Sequence, residues 1–113
     1  MPQPHVSKKS PTAGGRRKPL APAVVAAAVE IFKALGDSTR LRILYALLQG
    51  ELSVCHLAEL LGMNPSAVSH QLRLLRTERL IRSRREGRHI FYALDDDHIE
   101  RLVEEGIRHA GHG

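Results

Sequence analysis

The sequence predicts a mainly α-helical domain that closes on a β-hairpin, and three observations predict it. Apolar residues recur at helical spacing in five segments, each bounded by cap or stop residues. One run, His89-Ile-Phe-Tyr-Ala-Leu94, is β-prone, and Gly87 just ahead of it can supply the positive φ of a tight turn. At 113 residues the chain is one domain with a modest core. With no Trp and only Phe32, Tyr45, Phe91 and Tyr92 as aromatics, that core must be aliphatic.

Residues 1–19 are rich in Pro, Gly, Ser, Lys and Arg and hold almost nothing apolar, so they read as a disordered basic N-terminal arm. Residues 20–113 are the folded part. Arg16-Arg-Lys followed by Leu20–Val29 has the look of a signal peptide, but the apolar pattern runs on through Ala28, Ile31, Phe32 and Leu35 with Glu30 and Lys33 interleaved. That is a helix ending near Gly36. No stretch approaches a membrane span, and the expectation is a soluble, cytoplasmic protein without a membrane partner. A single cysteine, Cys55, excludes an internal disulfide and fits a reducing compartment.

Asp37-Ser38 caps the second helix, which carries Leu41, Ile43, Leu44, Leu47 and Leu48 and stops at Gly50. Ser53 caps a short helix from Val54 to Leu61, closed by Gly62. Asn64 then caps a helix over 65–76 with Pro65 at its first position, where the missing N–H costs nothing. Val68, Leu72 and Leu75 form its apolar stripe. Ser66, Ser69, His70 and Arg73 stand opposite, with Gln71 nearer the core side. Short hydroxyls, an imidazole and a cation suit phosphates and base edges better than they suit plain solvation. Two short helices across a Gly-containing turn make a helix-turn-helix.

Ile81–Arg85 and His89–Leu94 flank Glu86-Gly-Arg88 as a hairpin with Arg84, Arg85 and Arg88 near its tip. A basic hairpin directly after a helix-turn-helix is a wing, so the fold expected is a winged helix-turn-helix. The charge agrees. Five of the 17 basic residues, Lys8, Lys9, Arg16, Arg17 and Lys18, lie in the arm, leaving 12 bases against 12 acids beyond it. Between Arg73 and Arg88, however, seven arginines face only Glu78 and Glu86, which points to a polyanion such as double-stranded DNA. The arm can add non-specific attraction to DNA or can simply be a solvated tail.

Asp96 or Asp97 caps a last helix with Ile99, Leu102, Val103, Gly106, Ile107 and Ala110 on one face. The domain's own core cannot use all of that stripe, and a second copy of the same helix is its natural cover, which makes the protein a homodimer. Beside it stand Asp96, His98, His109 and His112. His98 and His109 share a face but lie about 16 Å apart along the axis. Metal–nitrogen bonds are only about 2.1 Å long, so one helix cannot surround an ion. Two antiparallel helices can, giving two equivalent sites of one carboxylate and three imidazoles. That set suits Zn(II) or Co(II), whereas Ni(II) wants further donors, with Glu105 and His5 as spares. A solvated His-rich helix accounts for the same spacing, and spacing alone leaves both readings open.

Glu51-Leu-Ser-Val-Cys-His-Leu-Ala58, Ser66-Ala-Val-Ser-His-Gln-Leu72 and Glu86-Gly-Arg-His-Ile-Phe-Tyr92 together resemble the ArsR/SmtB family of winged-helix metal-sensing repressors, from about Val25 to the C-terminus. The resemblance implies a dimer built on the first and last helices, operator binding without metal, and release when metal binds. It also implies that Asp96, His98, His109 and His112 correspond to the family's C-terminal-helix zinc/cobalt site. The family's cysteine site is incomplete here, because Ser53 stands two before Cys55 and the arm holds no cysteine. Cys55 is therefore expected to be a small buried residue, and His56 a surface residue where relatives often have Asp.

The function expected is a metal-responsive repressor, with a winged-helix repressor sensing oxidation of Cys55 as the alternative. A hydrolytic zinc enzyme is disfavoured, since four protein donors leave no open coordination position.

Overall fold

The computed structural model describes residues 17–111. Most of the basic arm, His5 and the expected ligand His112 lie outside the described residues.

Five helices appear where the caps and stops place them. α1 (Pro22–Leu35) starts with proline at its first position, which has no N–H to leave unpaired. α2 (Ser38–Leu47) is capped by Asp37, whose Oδ2 accepts the Arg40 N–H at 3.0 Å. α3 (Val54–Leu61) is capped by Ser53 and ends on Gly62 in the left-handed conformation, φ +65°. α4 (Pro65–Thr77) begins on Asn64, whose Oδ1 accepts the Ser66 N–H at 2.7 Å. α5 (Asp97–Gly111) resolves the choice of cap in favour of Asp96. Its Oδ1 accepts the Ile99 N–H at 3.0 Å, and Asp97 opens the helix.

The expected hairpin forms as β2 (Ile81–Glu86) and β3 (His89–Leu94), antiparallel from Ile81↔Leu94 to Glu86↔His89. Gly87 takes φ +63° in the two-residue turn. A third strand was not expected. β1 (Leu52–Ser53) pairs with Tyr92 and Phe91, giving the order β1-β3-β2. Two residues carry no periodicity, so only the pairing with β3 makes them a strand.

The core is aliphatic throughout. Ile43, Leu44 and Leu47 of α2, Leu57 of α3, Val68, Leu72 and Leu75 of α4, and Leu80, Ile81 and Leu94 of the hairpin region meet Ile99 and Val103 of α5. Among the described residues no polar side chain is fully buried, and no helix is long and apolar enough to cross a membrane. α1 adds only Ala34 to the fully buried core, with Ile31 and Leu35 packed partly against it. Its Val24, Val25 and Val29 stay exposed, with Phe32 at 59%.

Candidate nucleic-acid interface and metal donors

Two surfaces carry the expected functional residues, and they lie on different elements. The first is built on α4. Burial of Val68, Leu72 and Leu75 fixes the rotation of the helix, so Ser66, His70 and Arg73 are left exposed. His70 Nδ1 and Arg73 Nη1 lie 3.5 Å apart. Ser69 is half-buried where α4 faces the wing, and it lines clefts on both sides. One cleft, of about 350 Å³, adds Arg73, Arg76, Thr77 and Tyr92. The other, of about 570 Å³, runs between the start of α3 and the wing, past His56, Arg88 and His89.

Gln71 points elsewhere. It is half-buried, and its Oε1 accepts from Arg40 Nε at 3.1 Å, tying α4 to α2. Arg76 was not singled out in the sequence, yet it is exposed and sits on the side of α4 shared by Ser69 and Arg73. The signal was available: 69, 73 and 76 fall at i, i+4 and i+7.

On the wing, Arg85 and Arg88 are exposed and make no ion pair among the described residues. Arg84 differs from both. Its guanidinium is paired with Glu51 at 2.9 Å and Glu86 at 3.1 Å. The hydrogen bond from Arg84 holds the Glu51 carboxyl below its ordinary range, and the two carboxylates raise the arginine in turn. The expectation that these arginines lack acids to pair with therefore fails at Arg84. One of its two acids, Glu51, lies 33 residues away, outside the basic stretch from Arg73 to Arg88.

The second surface is α5. Ile99 and Val103 enter the core, while Leu102, Gly106 and Ala110 line an open apolar groove of about 510 Å³ with Phe32, Leu35 and Leu41. His109 and Glu105 edge the same groove. Asp96 and His98 sit together at the other end of the helix, Asp96 Oδ2 lying 3.5 Å from His98 Nδ1. The Asp96 carboxyl is held low first by the Ile99 N–H and further by His98. Glu105, the spare donor, accepts from Arg108 at 2.9 Å. Among the described residues no three His, Cys, Asp or Glu side chains gather closely enough to hold an ion. The donor chemistry nevertheless fits one: a carboxylate whose second oxygen faces an imidazole, both exposed, and a further imidazole on the same helix.

Cys55 corrects an expectation. It is exposed, in the first turn of α3, where it lines the cleft beside the wing. Leu57 and Ala58 take the buried positions of that helix instead. His56 is exposed as expected, its Nδ1 lying 3.1 Å from Ser53 Oγ.

Known proteins share this fold. The family model described as bacterial regulatory protein, arsR family, matches residues 37–83. A transcriptional repressor SmtB homolog from Synechocystis sp. is 49% identical over 80 residues, which are 71% of this chain and 61% of that protein. The HTH-type transcriptional regulator NmtR of Mycobacterium tuberculosis is 46% identical over 101 residues, 87% of this chain and 84% of its own length. Among solved structures, the AntR antimony-specific transcriptional repressor superposes with a TM-score of 0.75 at 39% identity, covering 86% of this chain and 91% of that one. A homodimeric winged helix-turn-helix DNA-binding domain from Mycobacterium bovis, described as a possible ArsR-family regulator, superposes at 0.72 with 32% identity over 80% of this chain and 88% of its own. Each of these is by name a regulator, repressor or DNA-binding domain, and none is an enzyme. The chain belongs to the ArsR/SmtB family of winged helix-turn-helix transcriptional regulators.

Proposed function

We propose that the chain is a metal-responsive repressor that binds operator DNA as a homodimer and leaves it when Zn(II) or Co(II) binds between the C-terminal helices. One observation carries this reading. α5 holds metal donors at both ends, about 16 Å apart by helical rise, and beside them an apolar groove open to solvent. A second α5 packed head-to-tail covers the groove and brings opposite ends together.

Asp96 and His98 would hold the ion with the partner's His109 and the partner's His112. When bound, the ion supplies a cross-link between protomers. The chain's own residues do the rest. Asp96 keeps Oδ1 on the helix cap and offers Oδ2, so the donor is anchored to the backbone of α5. Ser66, Ser69, His70 and Arg73 face the major groove, and Arg85 and Arg88 reach the backbone. α5 packs Ile99 and Val103 into the core that also seats α4, so a change in α5 pairing bears on the spacing of the reading helices. Such coupling is reciprocal: DNA must weaken metal binding by the factor with which metal weakens DNA binding.

A gel shift on a duplex from the region upstream of the protein's own gene tests this. Zinc should release the wild type, with affinity falling about tenfold or more, and His98→Ala should bind DNA but ignore zinc. A His98→Ala protein that still leaves the duplex with zinc sinks the reading. A second reading draws on the exposure of Cys55: oxidation of that thiol beside the wing would be the signal. Cys55→Ser separates them, because a retained zinc response in that variant removes the thiol as the signal, whereas a lost zinc response favours it.

A further inference from the structure

The wing is held to the helix-turn-helix by more than its strands. Arg84 stands opposite Phe91 in the β2–β3 register, its Cζ 5.1 Å above the ring centroid. Nε donates to both oxygens of Glu51 at 2.9 and 3.0 Å, Nη2 lies 2.9 Å from Glu51 Oε1, and Nη1 donates to Glu86 at 3.1 Å. All three nitrogens face carboxylates. Glu51 immediately precedes β1, whose Leu52 and Ser53 pair with Tyr92 and Phe91, and Ser53 in turn caps α3. The fork therefore joins the entry of the helix-turn-helix to the middle of the hairpin. Glu51 and Glu86 also set two acids around Arg84, close to the element that carries the DNA-seeking Arg85 and Arg88. Electrostatics alone disfavours that placement.

We propose that Glu51 and Arg84 form a clamp that positions the wing for DNA, so that Arg84 is a positioning residue rather than a phosphate contact and Glu51 promotes DNA binding despite its charge. The proposal rests on the reading of this chain as a DNA-binding winged helix. Glu51 acts by orienting Arg84 over Phe91, which fixes where Arg85 and Arg88 emerge on either side of the Gly87 turn. A bidentate arginine is required for this, because a lysine ammonium cannot span both carboxylate oxygens and the ring.

Affinity of the full-length protein for the upstream duplex, measured from about 50 to about 200 mM salt, tests the clamp. Glu51→Gln removes a negative charge near a polyanion. The clamp predicts binding about fivefold weaker, with the salt slope unchanged. Binding that is unchanged or tighter, or a slope steepened as the freed Arg84 finds a phosphate, overturns the proposal. Should Glu51→Gln fail to fold by circular dichroism, Arg84→Lys carries the same test. It keeps the charge and loses the fork, so weaker binding supports the clamp and unchanged binding overturns it. Arg88→Ala serves as the reference for a true phosphate contact, with the slope falling by about 0.9. A wild-type protein that binds the duplex with no salt dependence, or not at all, overturns the DNA reading itself, an outcome distinct from failure of the clamp alone.

Discussion

The reading unit and the terminal helices of this chain solve their packing problem differently. In α4 every residue of the apolar stripe is fully buried against the chain's own core, and the N-terminus is capped from within. In α1 Val24, Val25, Val29 and Phe32 face outward, and α5 adds Leu102, 38% exposed, to the exposed apolar surface. A helix buried by its own domain can be oriented by that domain alone. A helix with an unpartnered stripe takes its final position from whatever covers it, so in the proposed repressor the state of the assembly would enter through α1 and α5 and be read out through α4.

That contrast can be broken from either side. The largest effect is expected at Leu72, fully buried under α4: Leu72→Ala should cost about 2–5 kcal/mol in denaturant unfolding, and at every protein concentration. Phe32→Glu should leave the fold and its helical circular dichroism intact. It should weaken self-association by about thirtyfold or more in analytical ultracentrifugation, because a charge replaces an aromatic anchor. A protein that remains a dimer would show that α1 does not carry the interface. Asp96 sharpens the division within one residue. Asp96→Asn keeps an N-cap acceptor and should hold the melting temperature, Asp96→Ala should lower it, and both should lose the zinc response seen in the gel shift. Asn64→Ala, at the cap of the reading helix, should cost about 1 kcal/mol without altering metal stoichiometry.

The smallest effect concerns pH. The Glu51 carboxyl is held below its ordinary value of 4.5 by Arg84, so the clamp contributes fully above that value. Its contribution disappears only as the pH falls through the lowered one. The side-chain carboxyl carbon of Glu51, followed by NMR from neutral pH downward, should titrate with its midpoint below 4.5. Movement centred at or above 4.5 would mean that the carboxylate is not engaged in solution.

Much of the molecule was legible because its signals are local. Asp37, Ser53 and Asn64 each cap a helix through a backbone N–H two or three residues on, and Gly62 and Gly87 mark positive φ where a side chain would be strained. The stripe at 68, 72 and 75 fixed which side of α4 faces out, and with it most of the candidate DNA surface. Contacts between distant segments were not legible. Glu51 finds Arg84 and Arg40 finds Gln71 across more than 30 residues. Cys55 is no more apolar-looking in sequence than Leu57, yet it faces the wing cleft while Leu57 faces the core.

The linear pattern by itself determined the order of the helices, their caps, the hairpin and the polar face of α4, since each depends on residues within about one or two helical turns. Tertiary structure alone decided that Leu52 and Ser53 become a strand and that Arg84 and Gln71 turn toward other elements of the chain. The reason is the same in each case. A cap, a turn or an amphipathic stripe is chosen by neighbours along the chain, whereas the partner of a long side chain or a two-residue strand is chosen by whatever packing brings alongside it.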